Sequence, residues 1–92
     1  MKVFDILIVS MGFSPDGKDV VGDVRFMVED PTGGTRSMTI QCRCTASQRI
    51  RPDALLIGEG VRQLRRIPEV RSGQAPLSFA RGLKPLQEAR AA

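Results

Sequence analysis

The chain has 92 residues, which is enough for one domain with a modest core and excludes a second core or a deep cleft between lobes. It contains no His, the commonest general base and neutral metal ligand, and its net charge of +4 is mildly basic. No stretch approaches the roughly 20 apolar residues of a membrane-spanning helix, and the apolar stretch behind Lys2 is too short for a secretory signal. We therefore expect a cytoplasmic protein with reduced thiols and no membrane partner.

Three segments of the first half alternate between apolar and other side chains, the pattern of β-strands with one buried face. They cover residues 2–10, 20–29 and 35–46. The intervening residues 11–19 and 30–34 hold Pro and Gly where tight turns favour them. Residues 1–46 therefore predict a three-stranded antiparallel β-meander.

The alternation also assigns the faces of this sheet. The strand positions predicted to be in the core are Phe4, Ile6, Ile8, Val24, Phe26, Val28, Met38, Ile40 and Cys42. Since side chains on a strand alternate with a period of two, exposure of both Ile6 and Cys42 would show this register to be wrong.

In residues 52–67 the apolar residues recur at the three- and four-residue spacing of an α-helix. Pro52 suits the first helical position, and Asp53 favours the positive end of the helix dipole. Gly58 and Gly60 each disfavour a helix interior, so they indicate either close packing on the sheet or a break. The stripe expected to face the core is Ala54, Ile57, Val61 and Leu64, which leaves Leu55 and Leu56 to be covered by something else.

Residues 68–92 hold three Pro and two Gly, which predicts an irregular tail after Pro68 ends the helix. Residues 77–80 have the character of a short strand, and the pattern leaves open whether they join the sheet. The chain is therefore predicted to be a single small α+β domain, residues 1–92. Its architecture is a three-stranded antiparallel β-meander packed against one C-terminal α-helix.

Cys42 and Cys44 form a Cys-x-Cys pair, but a zinc site needs about four ligands and the chain has no other Cys and no His. Their alternation with Met38 and Ile40 is typical of small core residues. No Ser has a His to activate it, and the acidic residues do not have the spacing of a calcium loop. We therefore expect no enzymatic activity, no metal and no cofactor.

The second face of the predicted sheet mixes apolar and charged residues. Its apolar members, the candidate interface, are Leu7, Val9, Val21 and Met27. One helix covers only one face of three strands, so this face is left for another surface. We expect a protein–protein interaction module, acting as a regulator, adaptor or assembly subunit, whose partner is a second copy or another protein.

Arginine is concentrated around the helix. Residues 1–34 hold three basic and six acidic residues, whereas residues 35–92 hold eleven basic and four acidic ones. A basic helix face can follow phosphates, which makes nucleic-acid binding the alternative function. Against it, the chain has no Tyr or Trp on which bases stack, and Glu59 is placed to pair with Arg62 three residues on. The candidate phosphate contacts are Arg49, Arg51, Arg62 and Arg66.

Overall fold

The computed structural model describes residues 1–81 and 83. Three long strands pair antiparallel and pack against a C-terminal helix, so the predicted α+β class and the antiparallel meander are confirmed. A fourth, short strand runs parallel to the first, and the sheet order is β3-β2-β1-β4. In chain order the elements are β1 (Lys2–Phe13), β2 (Asp19–Glu29), β3 (Thr35–Thr45), α1 (Pro52–Leu64), α2 (Pro68–Arg71) and β4 (Ser78–Phe79).

The core lies between α1 and one side of the sheet, which we call the helix-packed face. The central strand β2 buries four side chains there completely: Val20, Val24, Phe26 and Val28. Cys42 is buried beside them on β3, and Ile6 and Ile8 of β1 are half-buried against the same cluster. The register predicted for these positions is therefore correct.

The predicted faces of β1 are wrong at its start. The pairing with β2 shifts between Val3 and Asp5, and shifts again between Ile8 and Ser10. Each shift is a β-bulge, which inserts one extra residue and changes which side chains share a face. As a result Val3 is fully buried, while Phe4, predicted to be in the core, is 39% exposed.

Helix α1 is continuous through its two glycines and ends at Leu64, three residues before the predicted end. Its buried residues are Leu56, Gly60, Val61 and Leu64. The stripe is rotated from the predicted one because Gly60 lies against the ring of Phe26, which brings Leu56 down onto Gly22 of β2. Ile57 is half-buried, and Ala54, predicted to be in the core, is only partly buried.

Part of the predicted irregular tail is regular. Pro68 begins α2 instead of merely stopping the helix before it. β4 pairs with the start of β1, with Ser78 opposite Lys2 and Phe79 opposite Val3. Residues 77–80 therefore do contribute a strand, while the remainder of the predicted tail, residues 82 and 84–92, lies outside the described residues.

Candidate interaction surface

One strand carries the exposed large apolar side chains of the described residues. These side chains are between 39% and 57% exposed, and all of them belong to β1. Exposed apolar residues scattered singly are normal on protein surfaces, but a set confined to one strand is a patch. The members of this set are Phe4, Leu7, Val9, Met11 and Phe13.

The four candidate interface residues do not form one continuous patch. Leu7 stands opposite Arg25 and Met27 opposite Asp5, so these two apolar side chains are diagonal neighbours on the face of the sheet away from α1. Val21 lies towards the other end of that face, opposite Gly12. Between the two groups, the Ser10 hydroxyl donates a 3.2 Å hydrogen bond to Asp23 Oδ2. Val9, the fourth candidate, lies at the second β-bulge.

Two members of the exposed set, Met11 and Phe13, lie beyond the predicted end of the first strand, in the residues 11–19 predicted to be a connection. The structure extends β1 to Phe13, opposite Val20 of β2. The signal was present in the sequence, since the alternation that begins in residues 2–10 continues through Met11 and Phe13. The turn begins only at the buried Ser14, whose backbone N–H donates to the carbonyl of Asp19 at 2.9 Å.

The outer edge of β1 is mostly unpaired within residues 1–81 and 83. β4 pairs only with Lys2 and Val3, and its neighbour Ala80 donates the last backbone hydrogen bond to that edge, to the Val3 carbonyl at 2.8 Å. From Asp5 to Phe13, β2 is the one strand paired with β1 among the described residues. The exposed apolar set therefore lies along an open sheet edge.

The arginine positions proposed for phosphate contact are distributed along both ends of α1. Arg51 binds Asp53 through two nitrogens, at 3.1 and 2.7 Å, and this hydrogen bond is the main cause of the lowered pKa of Asp53. Arg62 binds Glu59 in the predicted pair, at 2.6 Å. Arg49 and Arg66 are exposed and make no ion pair with a described residue. Among the described residues, two of the four guanidinium groups thus have no carboxylate partner, and the other two are held by carboxylates.

The two thiols are free, and both lie on the helix-packed face. Burial, with a smaller contribution from Glu59, raises the pKa of Cys42 to about 11. Burial also raises the pKa of Cys44. Since the thiolate is the reactive form, neither sulfur has the lowered pKa of a catalytic cysteine. Within the described part of the chain, no cluster of Cys, Asp and Glu is placed to hold a metal ion.

Family models, curated proteins and solved structures were all compared with this chain, and none matches it. Neither helix of the described residues combines the length and apolar character needed to cross a bilayer.

Proposed function

We propose that this protein is a non-enzymatic protein–protein interaction module that binds its partner through β1. The observation that carries the proposal is the confinement of the exposed large apolar side chains to that strand. Two Phe side chains, each offering up to about 150–250 Å² when fully buried, and three aliphatic ones together leave on the order of 400 Å² of apolar surface open. This apolar area is divided between the two faces of the sheet, but it is concentrated along one strand, as is typical of an interaction site.

The surroundings of the patch suit an interface with an apolar centre and a polar rim. Leu7 is flanked on the sheet by Arg25, whose Nε lies 3.5 Å from the Thr39 hydroxyl, and by the hydrogen-bonded Ser10 and Asp23. Ser10 and Asp23 already bond each other, so a partner covering Leu7 would not have to leave these two groups unsatisfied.

The absence of His and the raised thiol pKa values support a binding rather than a catalytic role. The free thiols suit a reducing compartment, and we therefore propose a cytoplasmic location for the module.

The proposal is tested by replacing Phe13 with a photoreactive benzoyl-phenylalanine in cells that produce the protein. Phe13 is the most exposed apolar side chain of the set, at 57%, so this substitution leaves the core untouched. We expect irradiation to give one defined adduct, identified by mass spectrometry. The matched control carries the same photoreactive residue at Ser72, an exposed position at the end of α2.

The double variant Leu7→Ser, Met27→Ser should lower the yield of the Phe13 adduct. It removes the apolar side chain of Leu7 on β1 and that of its diagonal neighbour Met27 on β2. Thr39→Ser, on the same face, changes little apolar area and should leave the yield as it is. Equal adduct yields at Phe13 and Ser72 would mean that β1 is not an interface, and the proposal would fall.

Nucleic-acid binding is retained as the second candidate because Arg49 and Arg66 lack ion pairs with described residues. Helix α1 spans about 20 Å at about 1.5 Å per residue. Arg49 lies before the helix and Arg66 after it, so the two guanidinium groups are too far apart to bind one phosphate. Arg51 and Arg62 would have to release Asp53 and Glu59 before they could bind a phosphate. These features favour the interaction module.

A further inference from the structure

The open part of β1 is unlike the opposite edge of the sheet. Residues 6–13 contain no charged side chain, whereas β3 carries Arg36 and Arg43. Natural proteins protect edge strands from pairing with other chains by placing charges or Pro on them. β3 has this protection, and residues 6–13 of β1 do not.

The exposed apolar side chains lie on both sides of the sheet. Leu7 is opposite Arg25, on the face away from the helix, whereas Met11 and Phe13 are opposite Gly22 and Val20 and thus on the helix-packed side. A partner that docks on one face would leave the others in water. A strand added along the edge places its own side chains beside both sets, because successive residues of a strand point to opposite faces.

We infer that this strand comes from a second copy of the chain, and that two β1 strands pair antiparallel about a two-fold axis between Val9 and Ser10. This inference rests on the proposed function and names its partner. In that register the uncharged run pairs with itself from end to end: Ile6 lies opposite Phe13 of the second copy, Ile8 opposite Met11, and Leu7 opposite Gly12.

The register agrees with the faces that the structure assigns to β1. Ile6 and Ile8 pair with Phe26 and Val24 on the helix-packed side, as Met11 and Phe13 pair with residues on that side. Each apolar pair of the dimer therefore meets on one face. A register symmetric about Val9 would put Leu7 opposite Met11 of the second copy, and these two residues lie on different faces because of the bulge.

This self-pairing closes after two copies. Each chain uses its single open β1 edge, and the edges that the described residues of the dimer still present are those of β3, with their arginines, and those of the two-residue β4 strands. The product is one continuous sheet that contains both meanders, with the two α1 helices on the same side.

The oligomeric state of the full chain, measured by light scattering after size exclusion across the micromolar range, tests the inference. We expect twice the mass of one chain. Val9→Lys places two like charges beside the two-fold axis and should raise the dimer Kd at least about tenfold. Val9 is 46% exposed, so this change should leave the fold intact, which circular dichroism checks. The matched control, Ser37→Lys, adds the same charge to exposed β3 and should leave the dimer intact.

Disulfide formation between two variants tests the register. Leu7→Cys chains mixed with Gly12→Cys chains should give a mixed dimer on mild oxidation, because the two positions are opposite across the proposed pair. A Cβ at Gly12 would meet no atom within 4 Å, so we expect the chain to accommodate that substitution. Leu7→Cys alone should not cross-link, since the two copies of position 7 are five residues out of register, about 17 Å apart along the strands. The parent chain controls for its own thiols.

A monomer at all concentrations would overturn the inference, as would a dimer that forms no Leu7–Gly12 disulfide. So would protection from hydrogen exchange of the amides of residues 6–13 that point away from β2, at a concentration where the chain has the mass of a monomer, because the edge would then be covered within one chain. The failures remain distinguishable: a monomeric chain whose Phe13 adduct contains a different protein refutes self-pairing and supports the interaction module. Lack of any adduct at Phe13 refutes both.

Discussion

At the scale of single residues, the two glycines of α1 have opposite roles. A Cβ at Gly60 would lie 2.8 Å from Cζ and 2.9 Å from Cε2 of Phe26, a ring that is fully buried. A Cβ at Gly58 would meet no atom within 4 Å. Gly60 is therefore required for the close approach of helix and sheet, whereas Gly58 contributes only backbone freedom to the unfolded chain.

We expect Gly60→Ala to lower the free energy of unfolding by about 1–2 kcal/mol, since overpacking costs about 1–3 kcal/mol and the alanine recovers up to about 1 kcal/mol of helix propensity. Gly58→Ala should raise that free energy by about 0.5–1 kcal/mol. Urea unfolding followed by circular dichroism measures both. Equal effects of the two substitutions would contradict the packing of α1 on Phe26.

The buried thiol of Cys42 links stability to alkaline pH. Its pKa is raised to about 11 in the folded chain, against about 8.5 for an unperturbed thiol. The unfolded chain therefore loses this proton first, and stability should fall as pH rises from about 9 to about 11. At pH values well below about 9 the thiol is protonated in both states, so the stabilising contribution of the buried Cys42 is fully present.

Thermal unfolding at a series of pH values measures this dependence, and Cys42→Ala should flatten its alkaline part. Cys42 should also react slowly with iodoacetamide at neutral pH, because little thiolate is present. Rapid alkylation of Cys42 at pH 7 in the folded protein would contradict the burial described here.

At the scale of elements, the connection of β1 and β2 is fixed by one side chain. The Ser14 hydroxyl donates to Asp16 Oδ1 at 2.6 Å and accepts from the Asp19 N–H at 3.0 Å. The first of these bonds is also the main cause of the lowered pKa of Asp16. Because Ser14 is only 8% exposed, water cannot readily replace its oxygen.

Ser14→Ala should therefore lower the free energy of unfolding by about 1–2 kcal/mol, largely through the unsatisfied Asp19 N–H. Ser72→Ala is the matched control, since Ser72 is exposed and its hydroxyl makes only long contacts of 3.4 Å. Its effect should stay within about 0.5 kcal/mol. If both serine variants unfolded at the same urea concentration, the turn would not depend on the Ser14 hydroxyl.

The elements that could be predicted from the sequence are those whose side chains follow a single period. β2 and β3 keep a period of two throughout, and their buried face follows from it. β1 does not, because two bulges shift its pairing, and a bulge leaves no mark in a pattern of apolar residues. For the same reason the alternation places Phe4 in the core, whereas the first bulge leaves its side chain exposed.

The candidate site was predictable to a similar degree. Leu7 and Val9 were expected at the surface from their face, and both are exposed. The extent of the site was only partly predictable, because the alternation continues through Met11 and Phe13 while Gly12 and Pro15 favour a turn in the same residues. Whether a strand lies at an edge depends on long-range pairing, and β4 could not be placed beside β1 from its two residues alone.

At the scale of the whole molecule, the charge asymmetry is partly neutralised within the fold. Arg43 of the basic part pairs with Asp19 of the acidic part at 2.8 Å, and Arg36 lies 3.3 Å from Asp30. Exposed pairs of this kind add little stability, but they reduce the positive potential that a phosphate backbone would meet. The basic excess of residues 35–92 is therefore a poor measure of phosphate affinity.

Fluorescence anisotropy with duplex DNA and single-stranded RNA, across a salt series, separates the two functions at this scale. We expect no saturable binding at physiological salt, and at low salt only weak binding with a shallow log–log slope, because Arg36, Arg43, Arg51 and Arg62 are already held by carboxylates. Arg66→Ala should reduce that slope by about 1, whereas Arg62→Ala should change it less, since Glu59 already holds this guanidinium. Tight binding at physiological salt that both substitutions weaken equally would mean that Arg62 leaves Glu59 for a phosphate, and α1, not β1, would then be the functional surface.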